Sequence, residues 1–293
     1  MIKLKNWPKS WALLFFAVDY LLAFLVGWLV MKLSGVQTIW IQILIFDVVA
    51  TVFVWGTGLV IQNASIYDPY WSVFPPVAIG LAMMLSNTQL VWQNGLFLFG
   101  VCLWSLRLTY NFVIHYEGFE YLDWRYQMLH DQNPKIWFLT NLFGINLMPT
   151  TIVFIQLIAI SSRLTNSAQF GGLVLGFLIM SASATIQLVS DTQMSRFREA
   201  NQARKAVMKD GLWSISRHPN YFGEVSFWWG VWVSTVAFGA PWFPTIIAPI
   251  LMTMLFLFIS IPMMEKKILS TRPEYEEVRQ SVSMFLPFFP KKK

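Results

Sequence analysis

The polar segment between Asp191 and Glu224 carries the residue types best suited to binding a ligand with a phosphate end. Five basic residues lie between Arg196 and Lys209, and Arg217 follows them. Such a cluster suits phosphate because each guanidinium can bind a phosphate group through two parallel hydrogen bonds. The alternative is that these residues only mark the cytoplasmic face of a membrane protein and contact lipid headgroups. The residues after Arg217 favour the first interpretation.

Pro219 lies where a helix is expected to begin, and the first turn of a helix leaves backbone N–H groups free to bind an anion. Asn220 and Glu224 are four residues apart, so both side chains lie on one face of that helix, just inside the membrane. An amide and a carboxylate together match a carboxamide or a pair of sugar hydroxyls. The alternative is a capping arrangement in which Glu224 pairs with Arg217. Because a carboxylate inside a membrane is costly to keep, we expect a functional role for Glu224.

The composition requires a membrane around these residues. The chain has 293 residues, 56% of them hydrophobic and only 12% charged, which is about half of the ~25% charged share of soluble domains. A single cysteine excludes a disulfide framework and a cysteine-rich metal site. The three histidines are scattered along the chain, and we therefore expect no metal site.

Eight apolar stretches of the sequence flank the polar segments and must position them. They predict an all-α fold in which seven or eight transmembrane helices form a polytopic bundle. Seven of them reach the ~20 residues that a membrane crossing needs. The remaining stretch, 73–85, contains Pro75 and Pro76 and is either a short or a re-entrant span. The eight stretches are 11–31, 39–61, 73–85, 90–114, 136–160, 170–189, 221–238 and 245–264.

The basic residues predict the orientation of the bundle. With eight spans, the loops on one side contain only Lys32 and Arg163, and Arg107 lies within a span, whereas every other Lys and Arg falls on the side of the two termini. The positive-inside rule then places both termini in the cytoplasm. A bacterial plasma membrane and an endoplasmic reticulum membrane both satisfy this rule, and we expect the bacterial plasma membrane.

Three charged residues lie within the predicted spans and need partners there. Arg107 requires a carboxylate, a carbonyl or a phosphate. Asp19, on the first span, is expected to make a packing or dimer contact. Asp47 lies about midway along the second span, and the sequence identifies no partner for it.

The stretch Ser216-Arg217-His218-Pro219-Asn220-Tyr221-Phe222-Gly223-Glu224 resembles the signature of the steroid 5α-reductase-like membrane family. The resemblance runs from about Ile39 to the end, so residues 39–293 are expected to form the reductase-like domain and residues 1–38 an N-terminal anchoring span. Three further pieces carry it: Tyr67-Asp68-Pro69-Tyr70-Trp71-Ser72, Arg107 followed by Asp123-Trp124-Arg125-Tyr126, and Arg272-Pro273-Glu274-Tyr275 ahead of Leu286-Pro287. The superfamily also contains sterol C=C reductases and isoprenylcysteine carboxyl methyltransferases, which share the Arg-His-Pro-x-Tyr-x-Gly core.

The resemblance implies that NADPH is the cofactor and that it is held within the bundle at its cytoplasmic side. Asn220 and Glu224 match the reductase residues that hold the nicotinamide carboxamide, and Asp191 and Arg198 match nucleotide contacts. The other signature residues expected at the cofactor are Arg217, His218 and Tyr221. No Gly-x-Gly-x-x-Gly motif occurs, which excludes a Rossmann domain as the binding unit.

The same resemblance implies delivery of a hydride to the C=C bond of a lipophilic enone while a proton donor polarises the carbonyl. Asp68 lies in the region of the catalytic acid, although the family has the longer Glu there. Tyr67, Tyr70 and Tyr110 are the alternatives for its tyrosine partner. The substrate is expected to be a steroid- or polyprenyl-like lipid.

Two other functions stay open. One is an S-adenosylmethionine-dependent membrane methyltransferase of the isoprenylcysteine carboxyl methyltransferase type, and the other is a non-catalytic lipid-binding membrane protein. The expected partners are a lipophilic small molecule and membrane lipid, with no nucleic acid. The sequence predicts no oligomeric state.

Overall fold

The computed structural model describes residues 7–201 and 206–289, and these residues form helices joined by turns and loops, with no β-strand among them. The chain divides into two compact units, with the boundary between Ser167 and Ala168. An all-helical protein is therefore confirmed for the part of the chain that is described.

Among its described residues, the first unit contains six helices and a separate 3-10 turn between two of them. Its helices are α1 (Lys9–Leu33), α2 (Ile39–Ile61), α3 (Tyr70–Leu85), α4 (Trp92–His115), α5 (Trp124–Gln132) and α6 (Pro134–Ser161). The short turn, Ala64–Tyr67, lies between α2 and α3. Gln62 ends α2 in the left-handed conformation, with φ at 56°, and so turns the chain toward this short segment. Helix α6 widens to a π-helix over Thr140–Leu147.

Helices α1 and α2 pack closely because Gly27 has no side chain. A Cβ atom at Gly27 would lie 2.8 Å from the backbone oxygen of Phe46. The rings of Phe24 and Phe46 stack with their centroids 5.6 Å apart. Small residues allow helix backbones to approach in this way inside membranes. The predicted anchoring span is therefore part of the same compact unit as α2.

The second unit contains four helices among its described residues, with a short 3-10 turn, Gly211–Ser214, ahead of the second. The helices are α7 (Phe170–Ala200), α8 (Pro219–Ala237), α9 (Trp242–Thr271) and α10 (Tyr275–Ser281). His218 precedes α8 and Pro219 is its first residue, a position that proline tolerates because the N–H it lacks would have no helical partner there.

A seam of small residues joins α7 to α8. A Cβ atom at Gly176 of α7 would lie 2.9 Å from both the backbone oxygen of Gly230 and the backbone nitrogen of Ser234 in α8. A Cβ atom at Gly223 would in turn lie 3.0 Å from the backbone oxygen of Ser183 in α7. This close contact fixes α8, and with it the residues of its first turn, against α7.

Six helices in the described chain are long and apolar enough to cross a membrane, which supports an integral membrane protein. They are Lys9–Leu33, Ile39–Ile61, Trp92–His115, Pro134–Ser161, Phe170–Ala200 and Trp242–Thr271. Helices α3 and α8 contain two of the predicted spans and are not among the six. Helix α3 has only 16 residues, or about 24 Å at a rise of ~1.5 Å per residue, and α8 includes the polar residues Asn220 and Glu224.

Replacement of Gly176 by Ala should destabilise the second unit. The new methyl group would meet backbone atoms of Gly230 and Ser234, which cannot rotate away, and overpacking of this kind costs about 1–3 kcal/mol. Thermal unfolding of the detergent-purified protein measures the effect. Gly171→Ala is the matched control on the same helix, because a Cβ atom at Gly171 meets nothing within 4 Å. Equal unfolding temperatures for the two variants would contradict the close α7–α8 contact.

Candidate functional site

In the first unit, the short turn Ala64–Tyr67 and the residue before it form hydrogen bonds with the loop that precedes α5. Asn63 caps the turn by accepting a hydrogen bond from the Ser65 N–H at 2.9 Å. The Asn63 side chain also donates to the backbone oxygens of Phe119 and Tyr121, at 3.0 and 2.9 Å. The Asp123 N–H donates to Ser65 Oγ at 3.1 Å. These bonds fix the residue that follows the turn, Asp68, relative to α5.

Tyr126 on α5 contacts Asp68, because its hydroxyl donates a hydrogen bond to Asp68 Oδ1. Asp123 holds the start of α5 in place, since its Oδ1 accepts from the Arg125 backbone N–H at 2.8 Å. The Arg125 side chain bonds both oxygens of Asp123, at 2.8 and 2.9 Å. The hydrogen bond between the Tyr126 phenol and the Asp68 carboxyl thus connects two segments that are 58 residues apart in the sequence.

The surroundings of Asp68 make it a weak acid. Burial raises the pKa of its carboxyl to about 7, against the opposing effects of the Arg125 charge and the Tyr126 hydrogen bond. Burial, together with the charge of Asp68, also raises the pKa of the Tyr126 phenol well above its ordinary value. Asp68 itself is only partly buried. At neutral pH it is therefore a carboxyl that can hold a proton and release it, as a general acid must.

The hydroxyls of Tyr67 and Tyr70 hydrogen-bond to side chains other than Asp68. The Tyr67 hydroxyl bonds Thr150 Oγ1 at 2.7 Å, and the Tyr70 hydroxyl donates to Asp47 Oδ1 at 3.4 Å. The third alternative, Tyr110, is 60% exposed on α4. The tyrosine bonded to the predicted acid is thus Tyr126, which the sequence analysis missed as a partner. The Asp-Trp-Arg-Tyr piece was the signal that could have found it.

In the second unit, the first turns of α8 hold three of the residues predicted to bind a cofactor. Glu224 is 4% exposed, and its Oε1 accepts a hydrogen bond from Trp228 Nε1 at 2.9 Å. Asn220 lies one turn earlier on the same helix and is partly buried. The Tyr221 ring stacks on His218, with centroids 5.3 Å apart and an interplanar angle of 8°. Because α8 is continuous from Pro219 to Ala237, Asn220 and Glu224 lie one turn apart on the same face of the helix.

Arg217 pairs with Glu265 of α9, whereas the alternative considered from the sequence was a pair with Glu224. The Arg217 Nε–Glu265 Oε1 distance is 2.7 Å, and both side chains are 8% exposed. His218 Nε2 lies 3.2 Å from the same oxygen. The Tyr275 hydroxyl donates to it at 3.3 Å, and Arg279 Nε lies 3.2 Å from Glu265 Oε2. One carboxylate thus joins the start of α8 to α9 and α10.

Burial lowers the pKa of His218, although the nearby Glu265 carboxylate opposes the shift. His218 is then neutral at pH 7. Because a carboxylate only accepts hydrogen bonds, the contact with Glu265 requires the hydrogen of the neutral ring on Nε2. The described contacts of Arg217 and His218 therefore lie within the protein, and a role at a cofactor stays a prediction for both.

The other predicted nucleotide contacts lie near the end of α7. Asp191 is partly buried and Arg198 is exposed, and they lie seven residues apart, on one face of the helix. The loop after α7 is fixed to it, because Trp213 Nε1 donates to the Ser190 backbone oxygen at 3.0 Å. Two of the five predicted basic residues, Arg204 and Lys205, lie outside the described residues.

The donor set of the second unit fits the chemistry of a nicotinamide nucleotide. Glu224 and Asn220 carry the acceptors and the donor that match a carboxamide, and Glu224 lies beside the indole of Trp228, whose Nε1 donates to it. Arg198 offers an exposed guanidinium for a phosphate. Within residues 7–201 and 206–289, no group of three or more His, Cys, Asp or Glu side chains could hold a metal ion.

Removal of the Glu265 charge should destabilise the second unit. Glu265→Gln keeps the size of the side chain but leaves the buried Arg217 guanidinium without its carboxylate, which costs about 3–5 kcal/mol. A lower thermal unfolding temperature of the purified protein would report this loss. Glu276→Gln removes an exposed partner of Arg279 and should change stability by less than about 1 kcal/mol. An equal effect of the two variants would contradict the central position of Glu265.

Comparison with known proteins gives a family and no closer relative. No curated protein and no solved structure matches the chain significantly. A family model described as "Protein of unknown function (DUF1295)" matches residues 52–282, which is most of the chain and includes both Asp68 and the first turns of α8. The chain therefore belongs to this family of proteins of unknown function, DUF1295.

Proposed function

We propose that the protein is a membrane-embedded reductase that transfers a hydride from NADPH to the C=C bond of a lipophilic enone, such as a steroid- or polyprenyl-like lipid. The observation that carries the proposal is the Asp68–Tyr126 pair, a partly buried carboxyl with a pKa of about 7 held by a phenol. An acid with a pKa near the working pH is both populated and able to give its proton away. The resemblance to the steroid 5α-reductase-like family supports the same assignment.

Asp68 would protonate the carbonyl oxygen of the substrate. Because Tyr126 donates to Oδ1, the proton of the acid form belongs on Oδ2, from which it can pass to a substrate oxygen. The Tyr126 hydrogen bond and the Arg125 charge both favour the carboxylate that is left behind. Bonded to Asp123, Arg125 keeps α5 and therefore Tyr126 in place.

NADPH, when bound, supplies the hydride. Glu224 and Asn220 would hold the carboxamide of its nicotinamide, and Arg198 with the neighbouring basic residues would hold its phosphates. Asp191 would contact the nucleotide from the same helix as Arg198. The apolar helices around these residues, together with lipid, would exclude water from the reaction.

The topology proposed with this function adds α3 and α8 to the six candidate spans. Eight crossings place both termini on one side, and the uneven distribution of Lys and Arg supports the cytoplasm as that side. The first turn of α8 and the short turn before Asp68 then both lie at cytoplasmic ends of spans, where NADPH is available.

The pH dependence of turnover tests the proposal. Enone-dependent NADPH oxidation by the purified protein should fall as the pH rises through about 7, because the carboxylate of Asp68 has no proton to give. Tyr126→Phe removes a hydrogen bond that favours the carboxylate, so the pKa of Asp68 should rise and the loss of activity should move to higher pH. Asp68→Asn should lower kcat by at least about 100-fold and leave NADPH affinity unchanged.

Tyr110→Phe is the matched control, since Tyr110 is exposed on α4 and should leave kcat and the pH profile unchanged. Nearly normal turnover in Asp68→Asn would remove Asp68 from the mechanism. A Tyr126→Phe profile identical to that of the unmodified protein would show that the phenol does not act through Asp68.

A further inference from the structure

A second group of buried polar side chains lies deeper in the first unit, around Asp47 of α2. Asp47 is 0% exposed. Its Oδ1 accepts hydrogen bonds from the hydroxyl of Tyr70 at 3.4 Å and from that of Thr51 at 3.5 Å. Its Oδ2 is buried and has no hydrogen-bond partner among the described residues. The proposed reduction makes no use of this carboxyl.

A chain of hydroxyl groups leads away from Asp47. Thr51 Oγ1 lies 3.1 Å from Thr150 Oγ1, which lies 2.7 Å from the hydroxyl of Tyr67. Either oxygen can donate in both contacts, so the hydrogens of the chain can all point toward Asp47 or all point away from it. Tyr67 closes this chain immediately before Asp68 in the sequence.

The polar groups continue along α6 from Thr150. Asn146 lies one turn earlier, and its amide donates to the backbone and side-chain oxygens of Asn141, at 2.9 and 2.8 Å. Asn146 Oδ1 is buried and unpartnered among the described residues. Both asparagines belong to the π-helical segment, a local structure that is frequent at functional sites. A polar stripe thus runs along α6 and meets the polar residues of α2 at Thr51.

The contacts of Asp47 favour a protonated carboxyl. An ionised carboxylate that is fully buried, with no cation among its hydrogen-bond partners and one oxygen unpartnered, is strongly disfavoured in an apolar bundle. The groups that face it are the phenols of Tyr70 and Tyr67 and the hydroxyl of Thr150 beyond Thr51. The nearest acid in α1, Asp19, instead accepts from Thr57, ten residues further along α2.

We propose that Asp47 is a neutral carboxylic acid that stores a proton and exchanges it with Tyr67 through Thr51 and Thr150. With its proton on Oδ1, the neutral Asp47 donates to Thr51 Oγ1 instead of accepting from it, and in the exchange this Oδ1–H bond breaks as Thr51 Oγ1 takes the proton. The hydrogen of Thr51 passes to Thr150 and that of Thr150 to Tyr67, whose phenolic hydrogen leaves to a water molecule. Asp47 is then a carboxylate until a proton from water returns along the same path.

The use of this store rests on the proposed function. Each reduction of an enone consumes one proton, and the hydroxyl chain ends at Tyr67, next in sequence to the proposed proton donor Asp68. The exchange itself requires no turnover and can be measured separately.

Infrared spectroscopy of the purified full-length protein tests the proposal, because a protonated carboxyl has a C=O stretch distinct from that of a carboxylate. At about pH 8, where exposed Asp and Glu are ionised, we expect a carboxylic acid band that Asp47→Asn removes. The band should shift after transfer into D2O, and Thr150→Val should slow this shift by about tenfold or more, because exchange then requires local opening. Thr57→Val, off the path, should leave the rate unchanged.

A spectrum without a band that depends on Asp47 would overturn the neutral acid. If the Asp47→Asn variant does not fold, Asp47→Glu is the alternative test of the neutral acid. This variant keeps a carboxyl at the same position, so the carboxylic acid band should change in frequency. Equal exchange rates in Thr150→Val and the unmodified protein would overturn the path. This experiment does not measure enone reduction. A protein without reductase activity can therefore still show the proton exchange, and a protein with reductase activity can still lack it.

Discussion

A carboxyl group among apolar helices must be paired with a cation, bonded by neutral donors or kept protonated, and this constraint shapes both units of the protein. Glu265 is paired, with two arginines and His218 around it. Glu224 accepts from the indole of Trp228. Asp68 accepts from a phenol and has a pKa near neutrality. The three carboxyls therefore differ in their properties. Glu265 holds neighbouring helices together, Glu224 is a hydrogen-bond acceptor near the start of a helix, and Asp68 is a weak acid.

These carboxyls divide the proposed work between the two units. In the proposed function the first unit would supply the proton, since its acid Asp68 follows a short turn that Asn63 hydrogen-bonds to the loop preceding α5. The second unit supplies a helix start whose position is fixed by the close α7–α8 contact and by the bonds of Arg217 to Glu265 and to the backbone oxygens of Arg279 and Val282.

Much of the fold could be predicted from the sequence, because apolar stretches of about 20 residues have few structures open to them in a membrane. Six of the eight predicted spans correspond to helices that can cross. The candidate site was harder. Glu224 could be singled out from a local pattern and Asp68 from the family resemblance, but Tyr126 is 58 residues from Asp68, and Glu265 is 48 residues from Arg217. No periodicity encodes such contacts, since tertiary packing alone decides which side chains meet.

The measurement that tests the reductase assignment most directly is the binding of NADPH and of S-adenosylmethionine to the purified protein, with and without Glu224→Ala. We expect tighter binding of NADPH, which the substitution weakens by ~1.5–3 kcal/mol, or about 10- to 150-fold, through loss of a hydrogen bond in a water-poor site. Glu199→Ala, an exposed position on α7, should leave it unchanged. Tighter binding of S-adenosylmethionine, or equal NADPH affinities of a folded Glu224→Ala variant and the unmodified protein, would rule out the reductase assignment.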